Sequence, residues 1–220
     1  EEAQINTTRH KSGMSALHIA VQRGHSEVVQ TLFMHDANVN QTSNELKTPA
    51  WIAAFYGHHN ILLSLIEHHA DINLADEGGV TPLYAASQEG NLQCVKTLLT
   101  YGAQINKTAN CGATPLQVSS EMDHSATVQH LIENNASIDL ADEDGVTPLW
   151  AATCKGHAET VRILLDHHAD IKLSNLKGRC PLYVAAQNNH QEIVRLLLVR
   201  NADVNQTAKD LRTPAWIAAF

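Results

Sequence analysis

Apolar residues arrive along this chain in a repeating beat. Between Thr81 and Ile105, Leu83, Ala85 and Ala86 form a short run, Gly90 interrupts it, and Val95, Leu98 and Leu99 follow at helical spacing before Ala103 and Ile105 lead into the next turn. The pattern predicts a short helix, a glycine turn and a second helix with one apolar face. Thr81 caps the first helix through its hydroxyl, and Pro82 sits where a missing N–H costs nothing. The dipeptide recurs as Thr48-Pro49, Thr114-Pro115, Thr147-Pro148 and Thr213-Pro214, with Cys180-Pro181 filling the gap and Ser15-Ala16 opening the series, every step being 33 residues. One such unit is too small to bury a core alone, so the units must stack on one another. The expectation is an all-α repeat solenoid of about six units plus a truncated seventh, forming one array over 1–220.

The period, the strings TPLY and TPLW, the pairs Gly24-His25, Gly57-His58 and Gly156-His157, and the endings ADIN (70–73) and ADVN (202–205) resemble the ankyrin repeat family along the whole chain. That resemblance implies a β-turn or hairpin plus two antiparallel helices per repeat. It also implies a non-catalytic scaffold that binds a protein or peptide through hairpin tips and a concave helical face. The family motif T-P-L-H keeps its histidine here only at His18; Trp51, Tyr84, Gln117, Trp150, Tyr183 and Trp216 stand in the other units. Two readings follow: a buried ladder or partly exposed anchors. The second helix is followed by glycine only at Gly102; elsewhere Asp36, His69, Asn135, His168 and Asn201 stand there, the residues that best tolerate a left-handed backbone, and Asp123 and Asn189 replace the interhelical glycine on the same logic. Leu46 and Leu211 replace the turn glycine in two units whose sequences, 40–55 and 205–220, are close copies. This duplication, together with an end at Phe220 inside a first helix, leads us to expect a piece of a longer array.

Composition narrows the chemistry. The net charge of −8 argues against a nucleic-acid surface. Of 14 histidines, His25, His58, His124, His157 and His190 share the interhelical turn, and no H-E-x-x-H occurs, so no metal site is expected. Asp142-Glu143-Asp144-Gly145 fails as a calcium loop because the expected ligand positions fall on Leu140 and Ala151. The four cysteines lack C-x-x-C spacing and no apolar run reaches the length of a membrane span, which leads us to expect a cytoplasmic monomer with reduced thiols, no cofactor and no membrane contact. A bacterial effector delivered to host cytosol would share these traits. Asn40, Asn106, Asn135 and Asn205 begin Asn-x-Ser/Thr sequons, and the family resemblance marks Asn73 and Asn205 as possible substrates of an asparaginyl hydroxylase.

The resemblance also points to where a partner would sit. At the ends of the first helices these positions are Arg23, Phe55, Tyr56, Glu89, Met122 and Lys155; at the tips they are Asp76, Glu77, Asp142, Glu143, Asp144, Lys177 and Arg179; Trp51 joins them if the ladder is exposed. Phe55-Tyr56 is the conspicuous pair, read either as a hot spot or as an inward Phe55 beside a wet Tyr56. An acidic middle and a more basic end would steer a partner or simply keep the array soluble. The alternative function is a structural or regulatory segment of a larger channel or multidomain protein.

Overall fold

The computed structural model of the chain describes residues 5–8 and 11–219; Phe220 lies outside them. The chain divides into two compact units, Glu1–Asn110 and Cys111–Phe220. The first holds α1 (Ala16–Gln22), α2 (Ser26–Met34), α3 (Pro49–Phe55), α4 (His59–Glu67), α5 (Pro82–Gln88) and α6 (Leu92–Thr100). The second holds α7 (Pro115–Glu121), α8 (Ser125–Glu133), α9 (Pro148–Lys155), α10 (Ala158–Asp166), α11 (Pro181–Gln187), α12 (Gln191–Val199) and α13 (Pro214–Ala218). No strand occurs among the described residues, so the hairpins are closed by turns rather than by ladders.

In the first unit the first helices of successive repeats, α1, α3 and α5, lie side by side, and α2, α4 and α6 form a second row behind them. The second unit repeats this with α7, α9, α11 and α13 in front of α8, α10 and α12. Small side chains permit the close front row: Ala53, Ala54, Ala86, Ala152 and Ala185 are wholly buried. Leu62, Leu65, Leu98, Leu131 and Leu164 fill the space behind, each removed from water completely. A buried leucine of this kind contributes roughly 1.5–3 kcal/mol. That is how helices of seven to nine residues, marginal alone, are held.

The start signals work as the spacing predicts. The hydroxyls of Thr48, Thr81, Thr114, Thr147 and Thr213 each accept the backbone N–H three residues on. Cys180 makes no such side-chain cap. Asp36, His69, Asn135, His168 and Asn201 have φ between 59° and 66°, as Gly102 does at 86°, and Asp123 and Asn189 join them at 62° and 59°.

Leu46 and Leu211 also adopt φ of 59° and 64°. A branched aliphatic side chain is poorly suited to this region, and neither residue recovers the cost by burial, being 48% and 84% exposed. Leu46→Gly should therefore stabilise the protein by about 0.5–1 kcal/mol, the relief of strain being partly offset by glycine's larger unfolded-state entropy. Leu46→Ala, which keeps the Cβ, should bring no such gain. Midpoints of urea unfolding for the two variants provide the check.

Candidate functional site

The residue three places after each N-cap determines how neighbouring repeats meet. In the first repeat this is His18, fully buried. The Ser15 backbone N–H donates to its Nδ1 at 3.1 Å and the Ser15 hydroxyl lies 2.7 Å from the same nitrogen, so Nε2 carries the hydrogen and donates to the Lys47 carbonyl at 3.1 Å. The aromatic replacements perform the same task. The Trp51 indole N–H donates to the Val80 carbonyl at 3.1 Å, and that of Trp150 to the Arg179 carbonyl at 2.8 Å. Gln117 and Tyr183 reach side chains instead, donating to Asp142 at 2.7 Å and Asp210 at 3.2 Å. Trp51 (7% exposed), Tyr84 (8%) and Tyr183 (1%) are thus core residues, whereas Trp216 is 43% exposed. Of the two readings of the ladder, burial holds for these three. Trp51, expected among the partner-facing residues, is therefore a wall and not a projecting anchor.

A second set of bonds closes the turns. Asp76 Oδ1 accepts the N–H groups of Gly78 and Val80, both at 2.9 Å, and Asp142 Oδ1 accepts those of Asp144 and Val146 at 3.0 and 2.8 Å. Asn40 and Asn73 accept the backbone N–H of Asp71 and Gln104 in the following repeat at 2.8 and 2.9 Å. Asn205 is exposed. The shared interhelical histidine also proves to be a tie: His58, His157 and His190 set Nε2 against the carbonyls of Gln22, Glu121 and Cys154 at 3.3, 2.9 and 3.1 Å. Among the described residues no three or more His, Cys, Asp or Glu side chains gather as an ion would require. Burial pushes the Cys94 thiol up to about 11 and also raises Cys180, so neither is a ready nucleophile at neutral pH. No helix among the described residues is long and apolar enough to cross a membrane.

In the Glu1–Asn110 unit the hairpin turns and first helices enclose a groove of about 540 Å³ whose lining includes Gln22, Glu45, Lys47, Trp51, Phe55, Tyr56 and Asp76. Phe55 stacks on Trp51 with ring centroids 5.1 Å apart and meets Tyr56 edge-on at 5.2 Å. Phe55 is half-buried, and Tyr56, 47% exposed, is steadied by Gln22 Nε2 donating to its hydroxyl at 3.0 Å. The Lys47 ammonium lies 4.6 Å from the Trp51 ring centre and 2.6 Å from Glu45, whose carboxyl it holds below the ordinary value, chiefly by hydrogen bonding. Glu45 and Lys47, which nothing in the sequence marks, and Gln22, marked only by its place beside Arg23 at the end of a first helix, thereby join Phe55, Tyr56 and Asp76. Gln22 and Tyr56 stand 34 residues apart, one period plus one, and that offset is the signal that would have found the pair.

The other expected contact positions are distributed along both units. Arg23, Glu77 and Glu89 are exposed in the first. In the second, Met122, Lys155, Glu143, Asp144 and Lys177 are exposed, Lys155 paired with Glu121 at 3.2 Å and Arg179 lying 3.7 Å from Asp210.

A family model described as ankyrin repeats (3 copies) matches residues 1–76, 17–109, 50–142 and 116–208. The chain belongs to the ankyrin repeat family. The human ASB11 ankyrin repeat domain is similar in structure, with a TM-score of 0.86 and 26% identity over 93% of this chain and 92% of that one. The ankyrin repeat domain of Bcl-3, a member of the IkappaB protein family, aligns with a TM-score of 0.83 and 25% identity over 94% and 95% of the two chains. A comparison with curated proteins finds no match. In these ankyrin repeats Trp51 and Trp150 thus fill the histidine position with rings that keep the donor and add apolar area.

His18 carries a pH dependence. Burial lowers its basicity, although its bond to the Lys47 carbonyl opposes the shift. The unfolded chain therefore binds the proton more readily, and stability falls as pH drops through the ordinary value of 6.5. Unfolding midpoints measured from neutral pH into this range should fall, and His18→Gln should flatten the part of the slope that wild type shows in excess. Glutamine already occupies this position, buried, at Gln117.

Proposed function

We propose that this protein is an interaction module that binds an extended segment of a partner protein along the groove of the Glu1–Asn110 unit. Ankyrin repeat domains generally serve as protein-interaction modules, and this chain carries their fold throughout. The observation that carries the reading is Tyr56: a large ring, 47% exposed, pinned by Gln22 and backed by Phe55 and Trp51 at the mouth of a groove. Rigid, partly wet aromatics of this kind dominate binding energy. Leu46 adds a half-exposed apolar side chain in a strained backbone on the turn between Glu45 and Lys47. Among the tips, the exposed Glu77, Glu143, Asp144 and Lys177 supply fields that orient an approaching partner rather than anchors that hold it.

Peptides selected from a random library on the wild-type chain provide the test. Tyr56→Ala should weaken their binding by about tenfold or more, as expected for a central aromatic anchor. Met34→Ala, on α2 and 79% exposed, should leave binding unchanged. Equal binding by wild type and Tyr56→Ala would remove the groove from the reading.

A further inference from the structure

The groove of the Glu1–Asn110 unit offers hydrogen-bond acceptors and negative charge in excess of its donors. Asp76 spends Oδ1 on its own turn, accepting Gly78 and Val80. The corresponding Asp142 in the other unit also gives Oδ2 to Gln117, at 2.7 Å. Where Gln117 would stand, the first unit has Trp51, and its indole N–H goes to the Val80 carbonyl. Among the described residues Asp76 Oδ2 is therefore left without a protein donor, on the wall of a groove of about 540 Å³. Gln22 gives its N–H to Tyr56 and keeps its amide oxygen. Glu45 is the second carboxylate of the lining, and Lys47, its partner at 2.6 Å, is the single cation of the lining among the described residues. Exposed Glu77 and Glu89 adjoin lining residues Asp76 and Gln88, and exposed Lys11 and Arg23 adjoin Ser12 and Gln22, so the charge preference lies in the lining itself.

The aromatic walls complement this. The chain's own cations rest on rings at one repeat position, Lys47 on Trp51 at 4.6 Å, Arg212 on Trp216 at 4.6 Å and Arg179 on Tyr183 at 5.2 Å. Lys47 already covers Trp51, whereas the Tyr56 ring, 47% exposed and with His58 stacked 6.1 Å away, remains for a cation from outside. A guanidinium carries five donors in one plane and no acceptor, and it stacks on rings better than a compact, strongly hydrated ammonium.

Building on the protein-binding reading above, we propose that the groove recognises an arginine side chain of the partner segment, with Asp76 Oδ2 receiving its N–H groups and Tyr56 lying against its face. The test uses capped heptapeptides Gly-Ser-Ala-X-Ala-Ser-Gly in which X is arginine, lysine or citrulline, titrated into the full chain while the Trp51 indole N–H and neighbouring amides are followed by NMR. The arginine peptide should give a saturable shift. Citrulline, planar but uncharged, should bind about tenfold more weakly, and lysine more weakly than arginine, the scale expected for a charge-assisted bond. Asp76→Asn should cost the arginine peptide about the same factor. The substitution preserves the turn, since Asn175 already closes an equivalent one by accepting Lys177 and Arg179 at 3.0 and 3.1 Å. Lys47→Met, which removes the competing cation, should tighten arginine binding. Citrulline binding as well as arginine, an unchanged affinity in Asp76→Asn, or no saturable shift would each overturn the proposal. Library peptides that still depend on Tyr56 would in that case leave the interaction reading standing and remove arginine alone.

Discussion

The architecture depends on one side-chain hydrogen bond made at the third position of the first helices. A repeat of 33 residues hides its apolar faces only by stacking, and stacking brings the neighbour's turn carbonyls against a wall of alanine and leucine. A carbonyl buried there without a donor costs roughly 1–3 kcal/mol. His18, Trp51 and Trp150 supply that donor to Lys47, Val80 and Arg179. The imidazole of His18 and the indoles of Trp51 and Trp150 share a ring N–H at the right reach. That accounts for the tolerance of the position to replacement and for the burial of its aromatics.

The candidate site grows out of the same constraint. Because the Trp51 indole satisfies a backbone carbonyl, it does not satisfy Asp76, and a carboxylate oxygen used for stacking in the other unit is left facing the groove. Trp51 thus leaves that oxygen unused without disturbing the turn that Asp76 Oδ1 closes. Phe55 and Tyr56 complete the wall because α3 ends there, one residue before Gly57 takes the backbone into φ of 73°. A side chain at Gly57 would lie 2.7 Å from the Asn91 amide oxygen, the residue whose N–H groups hold the Ala54 and Phe55 carbonyls. The close approach of neighbouring turns therefore fixes where the helix stops and where its aromatics point.

Much of this was legible in the sequence because it is local. Thr-Pro caps and the left-handed Asp36, His69, Asn135, His168 and Asn201 involve a residue and its immediate neighbours, and each behaves in the structure as its chemistry predicts. The fate of the ring at Trp51 was not legible, since it turns on a carbonyl 29 residues away. Glu45 and Lys47 carry no mark in the sequence for the same reason, and Gln22 none beyond its place at a helix end: each is an ordinary polar residue until stacking brings it beside Tyr56 and Trp51. The histidines of the interhelical turn were recognised as structural, but their target, the last carbonyls of the preceding first helix, becomes visible only once the repeats are in register.

The bonds that join neighbouring repeats also have a direction. Across the junction between the repeats of α3 and α5, one bond runs forward, from Trp51 to Val80. Those of Glu77 to Glu45, Gln104 to Asn73, and Asn91 to Ala54 and Phe55 run backward. At this junction the side facing the successor is therefore the richer in acceptors, whereas at the junction of α1 with α3 His18 and Gln22 donate forward.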